Sequence, residues 1–525
     1  MVEVIKPLVK VVGYGPYLDL GEGKVMTPDE IVWAAASATY KGPRAVEEFY
    51  KLKQEGGNEE ELQRKITSSL IKSAGAGHAS LATTPGIWFF LGGACSKLEG
   101  SIFTSAKFTS AIMPSSRRVP IAIENILIPK GIAEMGGKAV EIYLSASEAN
   151  IRAYEELQKK GGVSREDAAK IVQYGHWGGG LMFMPLETLI YFAKEIENDK
   201  DCIPQEAKES ISQLESFIHS HGMGVTYEGR KAAPRTGCPN PNIFQDRISF
   251  AQELTGREFN SEPFIVSESY IPSAERDSRI AKYLEKRAQV FSDKSAIQEQ
   301  SPSLLRELEL IIADYNDSAR VTMAANISWR VWRELKRHRT LPQTVESVYH
   351  TVERATNVLA GGDEFLLDDV VVFPPSVLKN PDNYKLWTNR FSDSIAAYQI
   401  LVDMGAKRSD AIAVVPRGIK VGVEKTYDFY NLTTGFGSLR LCSEAEPEMK
   451  EMAEAERKLI LNSDAPGSIK SLLVPKCNYV GYCSETKHCG NIRKVVKDYD
   501  NEMHADIKAR REDGIRARLN SYKGN

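Results

Sequence analysis

Little in this sequence runs to an extreme, and each shortage removes a class of protein. No apolar run among its 525 residues reaches the ~18 needed to cross a bilayer as a helix. Lysine and arginine number 67 against 70 aspartate and glutamate, so the net charge of −3 exerts no general pull toward nucleic acid or an anionic membrane. Seven cysteines are too sparse for a disulfide scaffold. The opening Met1-Val2-Glu3-Val4-Ile5-Lys6 lacks the basic-then-apolar pattern of a secretion signal, and a cytoplasmic location is expected. What remains, 42% apolar and 26% charged residues, is the make-up of an ordinary soluble globular protein with room for about two to four domains.

One stretch stands out against that background. Between Trp332 and Tyr349 the chain reads Arg337-His338-Arg339, seven further residues, then Ser347. Two guanidiniums flanking an imidazole offer planar paired donors beside a group that can donate or accept, which suits phosphate and the carbonyl edge of a pyrimidine or flavin. A second reading stands beside it. Arg333, Lys336, Arg337 and Arg339, with Trp329, Val331, Trp332 and Leu335, also fit the solvated and buried faces of an amphipathic helix end.

The pattern resembles the signature of the flavin-dependent thymidylate synthases, the thymidylate-synthase-complementing or ThyX type. The approach Ser328 to Glu334 is similar to that family's lead-in helix, with Glu334 where glutamine is usual. Downstream, Ser438-Leu439-Arg440-Leu441 followed by Ala445-Glu446-Pro447-Glu448 resembles a later family segment whose arginine, here Arg440, reaches the nucleotide. The front half carries partial counterparts. Gly77-His78-Ala79-Ser80 resembles the family's Gly-His-x-Ser, although Thr83-Thr84 replace its Glu-His, and a turn histidine is the alternative. Ala106-Lys107-Phe108 set on the basic triplet brings Ser116 onto the motif serine and Arg118 onto the arginine after it. Lys170, in the helical stretch Gly162 to Lys170, falls where an arginine contacts nucleotide; Met404 to Ile412 repeats that stretch in the back half, with Ile412 or a neighbour in place of the basic residue.

Two copies of one order, about 230 residues apart, read as a tandem duplication. The expected fold is α+β: a front copy over 1–235 with a degenerate motif, a linker over 236–250, a back copy over 251–470 with the intact triplet, and a Cys-containing loop and charged tail over 471–525. Each copy is expected to hold an antiparallel sheet with helices around it. A helix is predicted from Thr27-Pro28-Asp29-Glu30, which carries a capping-box signature.

The resemblance implies reductive methylation of dUMP to dTMP, with FAD as cofactor and NADPH and methylenetetrahydrofolate as co-substrates. It implies catalytic roles for Arg337, Ser347, Arg440, Ser116 and Arg118. Flavin would lie against His78, Ser80, His338 and Arg339, and nucleotide against Arg337, Arg118, Arg440 and Lys170. A homodimer would then form a pseudo-tetramer, with neither membrane nor nucleic acid as partner. Departures from the pattern keep a catalytically silent, nucleotide- or flavin-binding homologue, or one-carbon transfer to another nucleotide, as alternatives. Pro342 replaces a serine, Thr344 and Val345 replace Asn-Glu, Tyr349 stands opposite Arg118, and Phe429 and Gly435 replace polar residues.

Cys477, Cys483 and Cys489, with His488, form the one cluster of metal-ligand types. Three thiolates and an imidazole can bind zinc, but five residues separate successive cysteines where two to four are usual, and reduced thiols in a loop are the alternative. The tail from Lys494 to Lys523 reads as a solvated helix.

Overall fold

The computed structural model describes residues 3–42, 44–56, 58–96, 102–114, 121–198, 201–234, 240–255, 262–361 and 367–522. Two four-stranded sheets organise it. The first contains β1 (Leu8–Gly15), β2 (Gly86–Cys95), β3 (Ser110–Ile112) and β4 (Trp177–Pro185), in the order β1-β2-β4-β3 with antiparallel neighbours. The second contains β5 (Phe264–Tyr270), β6 (Ala319–Ser328), β7 (Gln343–Val345) and β8 (Lys420–Asp428), in the order β5-β6-β8-β7. Position by position, the two orders are the same.

Strand β2 forms because its apolar residues alternate in environment rather than in polarity. Ile87, Phe89 and Leu91 are buried, whereas Trp88 is 43% and Phe90 47% exposed. The outer face is continued across the sheet by register: Lys10, Phe90, Leu181 and Ile112 form one row, and Trp88, Phe183 and Ser110 the next.

The helical element before the third-paired strand of each sheet also occurs twice. Gly137–Lys159, Arg165–Ala168, the turn Ala169–Ile171 and β4 are matched by Pro381–Asp403, Arg408–Ala411, Ile412–Val414 and β8. From the short helix onward each element starts 243 residues after its counterpart: Arg165 to Arg408, Ala169 to Ile412, Trp177 to Lys420. The long helices pack on each other, and the contacts are reciprocal. Gly175 N–H donates to Ala413 O at 2.8 Å, and Gly418 N–H donates to Lys170 O at 2.7 Å, so each member of one bond is the 243-residue mate of a member of the other. Gln173 pairs with its own mate, Pro416. Asn150 and Ser394 exchange side-chain hydrogen bonds at 2.9 and 3.2 Å. That reciprocity is the signature of a local two-fold relationship. Glycine is needed at both ends because the backbones touch: a Cβ on Gly175 would lie 2.8 Å from Ala413 O and 1.8 Å from the Tyr143 hydroxyl.

Compactness does not follow the sequence halves. One unit comprises Met1–Glu253, Ile327–Arg339 and Thr344–Val421; the other comprises Leu254–Asn326, Thr340–Gln343 and Gly422–Asn525. The reciprocal helices draw the middle of the back half into the first unit. The expected linker is likewise built in where it is described: Ile243 and Phe244 are fully buried, and Ile243 O accepts from Val348 N–H at 2.9 Å. Its residues 236–239 lie outside the described residues. The predicted capping box is present, with Thr27 and Glu30 capping each other's backbone at the head of Pro28–Lys41.

The second unit packs the helices Ala274–Phe291 and Lys294–Tyr315 together and lays Pro447–Asn462 against its sheet. Lys425 on β8 and Glu456 on that helix form a buried ion pair at 2.6 Å, joined by the Tyr427 hydroxyl donating to Glu456 at 2.6 Å. The tail is helical over Asn501–Tyr522, with Met503, His504 and Ile507 buried and most of the rest exposed. Among the described residues no helix is long and apolar enough to cross a membrane.

Candidate functional site

The basic triplet sits in a turn that the preceding helix creates by stopping. Ser328 accepts a hydrogen bond from Val331 N–H at 3.1 Å and so caps Trp329–Leu335, whose Trp329, Val331, Trp332 and Leu335 are completely buried. The helix ends at Leu335, and His338 N–H returns to Leu335 O at 3.0 Å. Arg337, His338 and Arg339 therefore lie beyond the helix, and the amphipathic-helix reading holds only for its apolar residues Trp329, Val331, Trp332 and Leu335. Arg337 is exposed, while His338 and Arg339 are half-buried.

Two bonds tie this turn to the front segment of the same unit. Lys336, buried and lying 5.4 Å from the Trp332 ring centroid, donates to the Thr104 hydroxyl. Arg339 Nε donates to Ala106 O at 3.2 Å. Among the described residues Arg339 has no carboxylate partner, and burial pushes its pKa down from the ordinary arginine value. A guanidinium stays protonated regardless, so the result is a half-buried cation oriented through its Nε, with no carboxylate to neutralise it among the described residues. Lys336, Thr104 and Ala106 were not legible as site residues; the front segment Ala106-Lys107-Phe108 aligns with the triplet only as its degenerate counterpart.

The motif serine is placed differently from expectation. Ser347 is fully buried, donates to Gln245 O, and accepts from Tyr349 N–H at 3.2 Å as the N-cap of Val348–Ala360. Its hydroxyl is committed to folding. Thr344 accepts from Ala251 N–H at 3.2 Å, and Val345 is buried. The carboxylate of this stretch, Glu346, is buried one position later and makes a two-pronged ion pair with Arg354. Tyr349 gives its hydroxyl to Cys202 O, lies 4.9 Å from the Arg408 guanidinium, and has its pKa raised well above the phenolic value by burial.

The remaining candidates divide. Lys170 is buried at the local two-fold, 3.2 Å from Asp167, rather than displayed on a surface, and its mate in the back half is Ala413. His78 and Ser80 are exposed where the short helix Ser80–Thr83 begins. Arg440 belongs to the second unit, at the end of Phe436–Arg440, with its guanidinium 5.8 Å from the Phe436 ring; Phe429 is buried in that unit. Ser116 and Arg118 lie outside the described residues. Cys477, Cys483 and Cys489 come together around a cavity that His488 also lines, and the structure adds Cys442, which its distance along the chain had hidden.

Residues 316–466 match the family described as thymidylate synthase complementing protein. The flavin-dependent thymidylate synthase of Pyrococcus furiosus is 29% identical over 154 residues, covering 29% of this chain and 59% of the relative. That of Pyrococcus abyssi is 27% identical over the same length. The chain thus spans 59% of the length of the curated relatives it matches. Two solved structures are similar in part. The UMP/dUMP methylase PolB from Streptomyces cacaoi bound with 5-Br dUMP shows 15% identity and a TM-score of 0.32, covering 45% of this chain and all of that one. ThyX from Helicobacter pylori complexed with FAD and dUMP shows 19% identity and a TM-score of 0.28, covering 40% and 97%. At those scores the structural likeness carries no argument about chemistry.

Proposed function

We propose that this chain is a flavin-dependent nucleotide methylase that converts dUMP to dTMP, taking the carbon from methylenetetrahydrofolate and reducing power from NADPH. The observation that carries this reading is the Arg337-His338-Arg339 turn. A cation held half-buried by one backbone carbonyl, without a counter-ion among the described residues, is costly unless an anion or a carbonyl edge completes it. A nucleotide phosphate, a flavin pyrophosphate and the carbonyl edge of uracil or isoalloxazine all fit that demand. Arg337 would take phosphate, and His338 and Arg339 would hold the flavin. Bound there, the reduced flavin supplies the hydride that completes the new methyl group. The protein's share is to orient, to neutralise charge and to exclude water.

The matching strand orders and the 243-residue mates support an origin by tandem duplication of one family domain. Two such chains would make four domains. The outer face of the first sheet, with Trp88, Phe90 and Ile112 exposed in adjoining rows, is the surface we assign to a second copy.

A silent homologue is the second reading, favoured by the burial of Ser347 and by Val345 in the place of a glutamate. One experiment separates the two. The full chain is reconstituted with FAD and assayed for dTMP formation from dUMP, methylenetetrahydrofolate and NADPH. Product that disappears in Arg339→Ala supports catalysis; tight dUMP and FAD binding without product supports silence, and failure to bind either ligand overturns both.

A further inference from the structure

Four cysteines of the second unit converge where the sequence offered three. Cys442, just past the helix Phe436–Arg440, joins Cys477, Cys483 and Cys489 in lining one small cavity, with about 10 Å³ of space open to a water-sized molecule. All four are free thiols. We propose that these four cysteines ligate an iron–sulfur cluster.

The loops that carry them are fixed by bonds that do not involve the thiols. Lys476 N–H donates to Ser438 O at 3.1 Å, which ties the Cys477 segment to the helix before Cys442. The ion pair of Lys476 with Glu485 spans the loop that holds Cys483. Cys483 N–H donates to the Tyr499 hydroxyl at 3.1 Å; Tyr499 is hydrogen-bonded to His504 Nδ1 at 3.0 Å, and His504 Nε2 to Thr486 O at 3.3 Å. Gly481 and Gly490 take left-handed turns, φ +73° and +87°, on either side of the Cys483–Cys489 loop. A C-terminal segment is thus folded back, with considerable local apparatus, around the small cavity that the four thiols line. A second, independent observation points into the same space. His488 lines the cavity with both ring nitrogens buried and neither bonded to any protein group.

The choice of a cluster over one ion follows from spacing. Zinc–sulfur bonds of about 2.3 Å would hold the sulfurs of a tetrahedral site ~3.8 Å apart. Among the described residues no three or more His, Cys, Asp or Glu side chains are grouped so as to hold a metal ion. Four thiols that line a common cavity without closing on one point match a polynuclear centre, for which four cysteines are the usual complement. Lys487 lines the same cavity and offsets part of the negative charge that four thiolates would bring; Lys476, also on its wall, is paired with Glu485.

The test is independent of flavin and of turnover. The full chain is purified anaerobically, reconstituted with ferrous iron and sulfide, and assayed for iron, acid-labile sulfide and zinc. About two to four iron and as many sulfide per chain are expected, with an electron paramagnetic resonance signal after reduction. Thiol alkylation mapped by mass spectrometry on the unaltered chain should find all four cysteines protected in the loaded protein and reactive after chelation. Cys442→Ala and Cys483→Ala should each lose the iron. One zinc per chain without iron, no metal after reconstitution, or iron retained while the four thiols alkylate freely would overturn the proposal.

Discussion

Arg339 and Ala106, 233 residues apart in the chain, meet through a 3.2 Å hydrogen bond from the guanidinium Nε to the carbonyl. The bond engages Nε and so restricts the guanidinium plane, while the ligand contacts we propose would fall to the two terminal nitrogens. Lysine carries the same charge but has no Nε donor and no planar fork. Arg339→Lys is therefore expected to weaken dUMP or FAD binding at least tenfold, about 1.4 kcal/mol, with little change in melting temperature. Calorimetric titration beside a thermal melt checks this; unchanged affinity for both ligands would remove Arg339 from the site.

The local two-fold makes a prediction about stability alone. Gly175→Ala would press a methyl group onto Ala413 O and the Tyr143 hydroxyl, both rigidly held. A loss of about 3 kcal/mol or more is expected, as for other strained or overpacked core positions. Gly137→Ala, at the start of a helix with nothing within 4 Å of the new methyl, is the comparison and should be neutral or stabilising by up to about 1 kcal/mol. Urea denaturation of the two variants measures the contrast, and equal midpoints would mean the reciprocal contact is not close-packed in solution.

What was legible in the sequence was mostly local. The Thr27 cap depends on a few adjacent residues and is found where neighbouring chemistry put it. The repeated order was visible because Gly162 to Lys170 and Met404 to Ile412 keep similar spacing. Other features depend on partners far away. Ser347 reads as a motif hydroxyl until Gln245 O claims it, and Lys170 as a ligand until Asp167 and the packed repeat bury it. Cys442 could not be joined to Cys477 without knowing that the chain returns there. The 236–250 stretch looked like a linker because Gly, Pro and Asn dominate the residues leading into it, whereas its Ile243 and Phe244 anchor it in the core.

His176 gives a pH prediction with a definite sign. Burial, and then the Arg417 cation, lower its pKa from 6.5 to about 3, so it is neutral in the folded chain. The unfolded chain takes up a proton below about pH 6.5 that the folded chain refuses until about pH 3. Stability from this group is therefore present above pH 6.5 and is lost as the pH falls across that window. The mate of His176 is Ile419, and the bridges Ile126–His176 and Val371–Ile419 correspond. His176→Ile should accordingly flatten the acid limb of a stability–pH curve measured in urea between pH 4 and 7. An unchanged slope would place the acid sensitivity elsewhere.

In the second unit the buried pair Lys425–Glu456 decides how removal of a charge is felt. Lys425 is completely desolvated, and burial lowers its pKa, while Glu456 at 2.6 Å opposes that shift. Glu456→Gln keeps the shape but leaves the ammonium without its counter-charge, which for a buried pair costs about 3–5 kcal/mol. The double variant Lys425→Met with Glu456→Leu removes both charges and, having Met452 and Phe436 alongside, can pack as an apolar cluster. It should recover most of the loss, since the desolvation penalty disappears together with the attraction. The Tyr427 hydroxyl, which donates to Glu456, sets the limit on recovery by the cost of leaving one buried donor unbonded, about 1–3 kcal/mol. Replacing it as well, with Tyr427→Phe, should close the gap. A double-mutant cycle read by chemical denaturation tests the ordering: if Glu456→Gln is no less stable than the apolar double variant, the ion pair is not buried from water in solution.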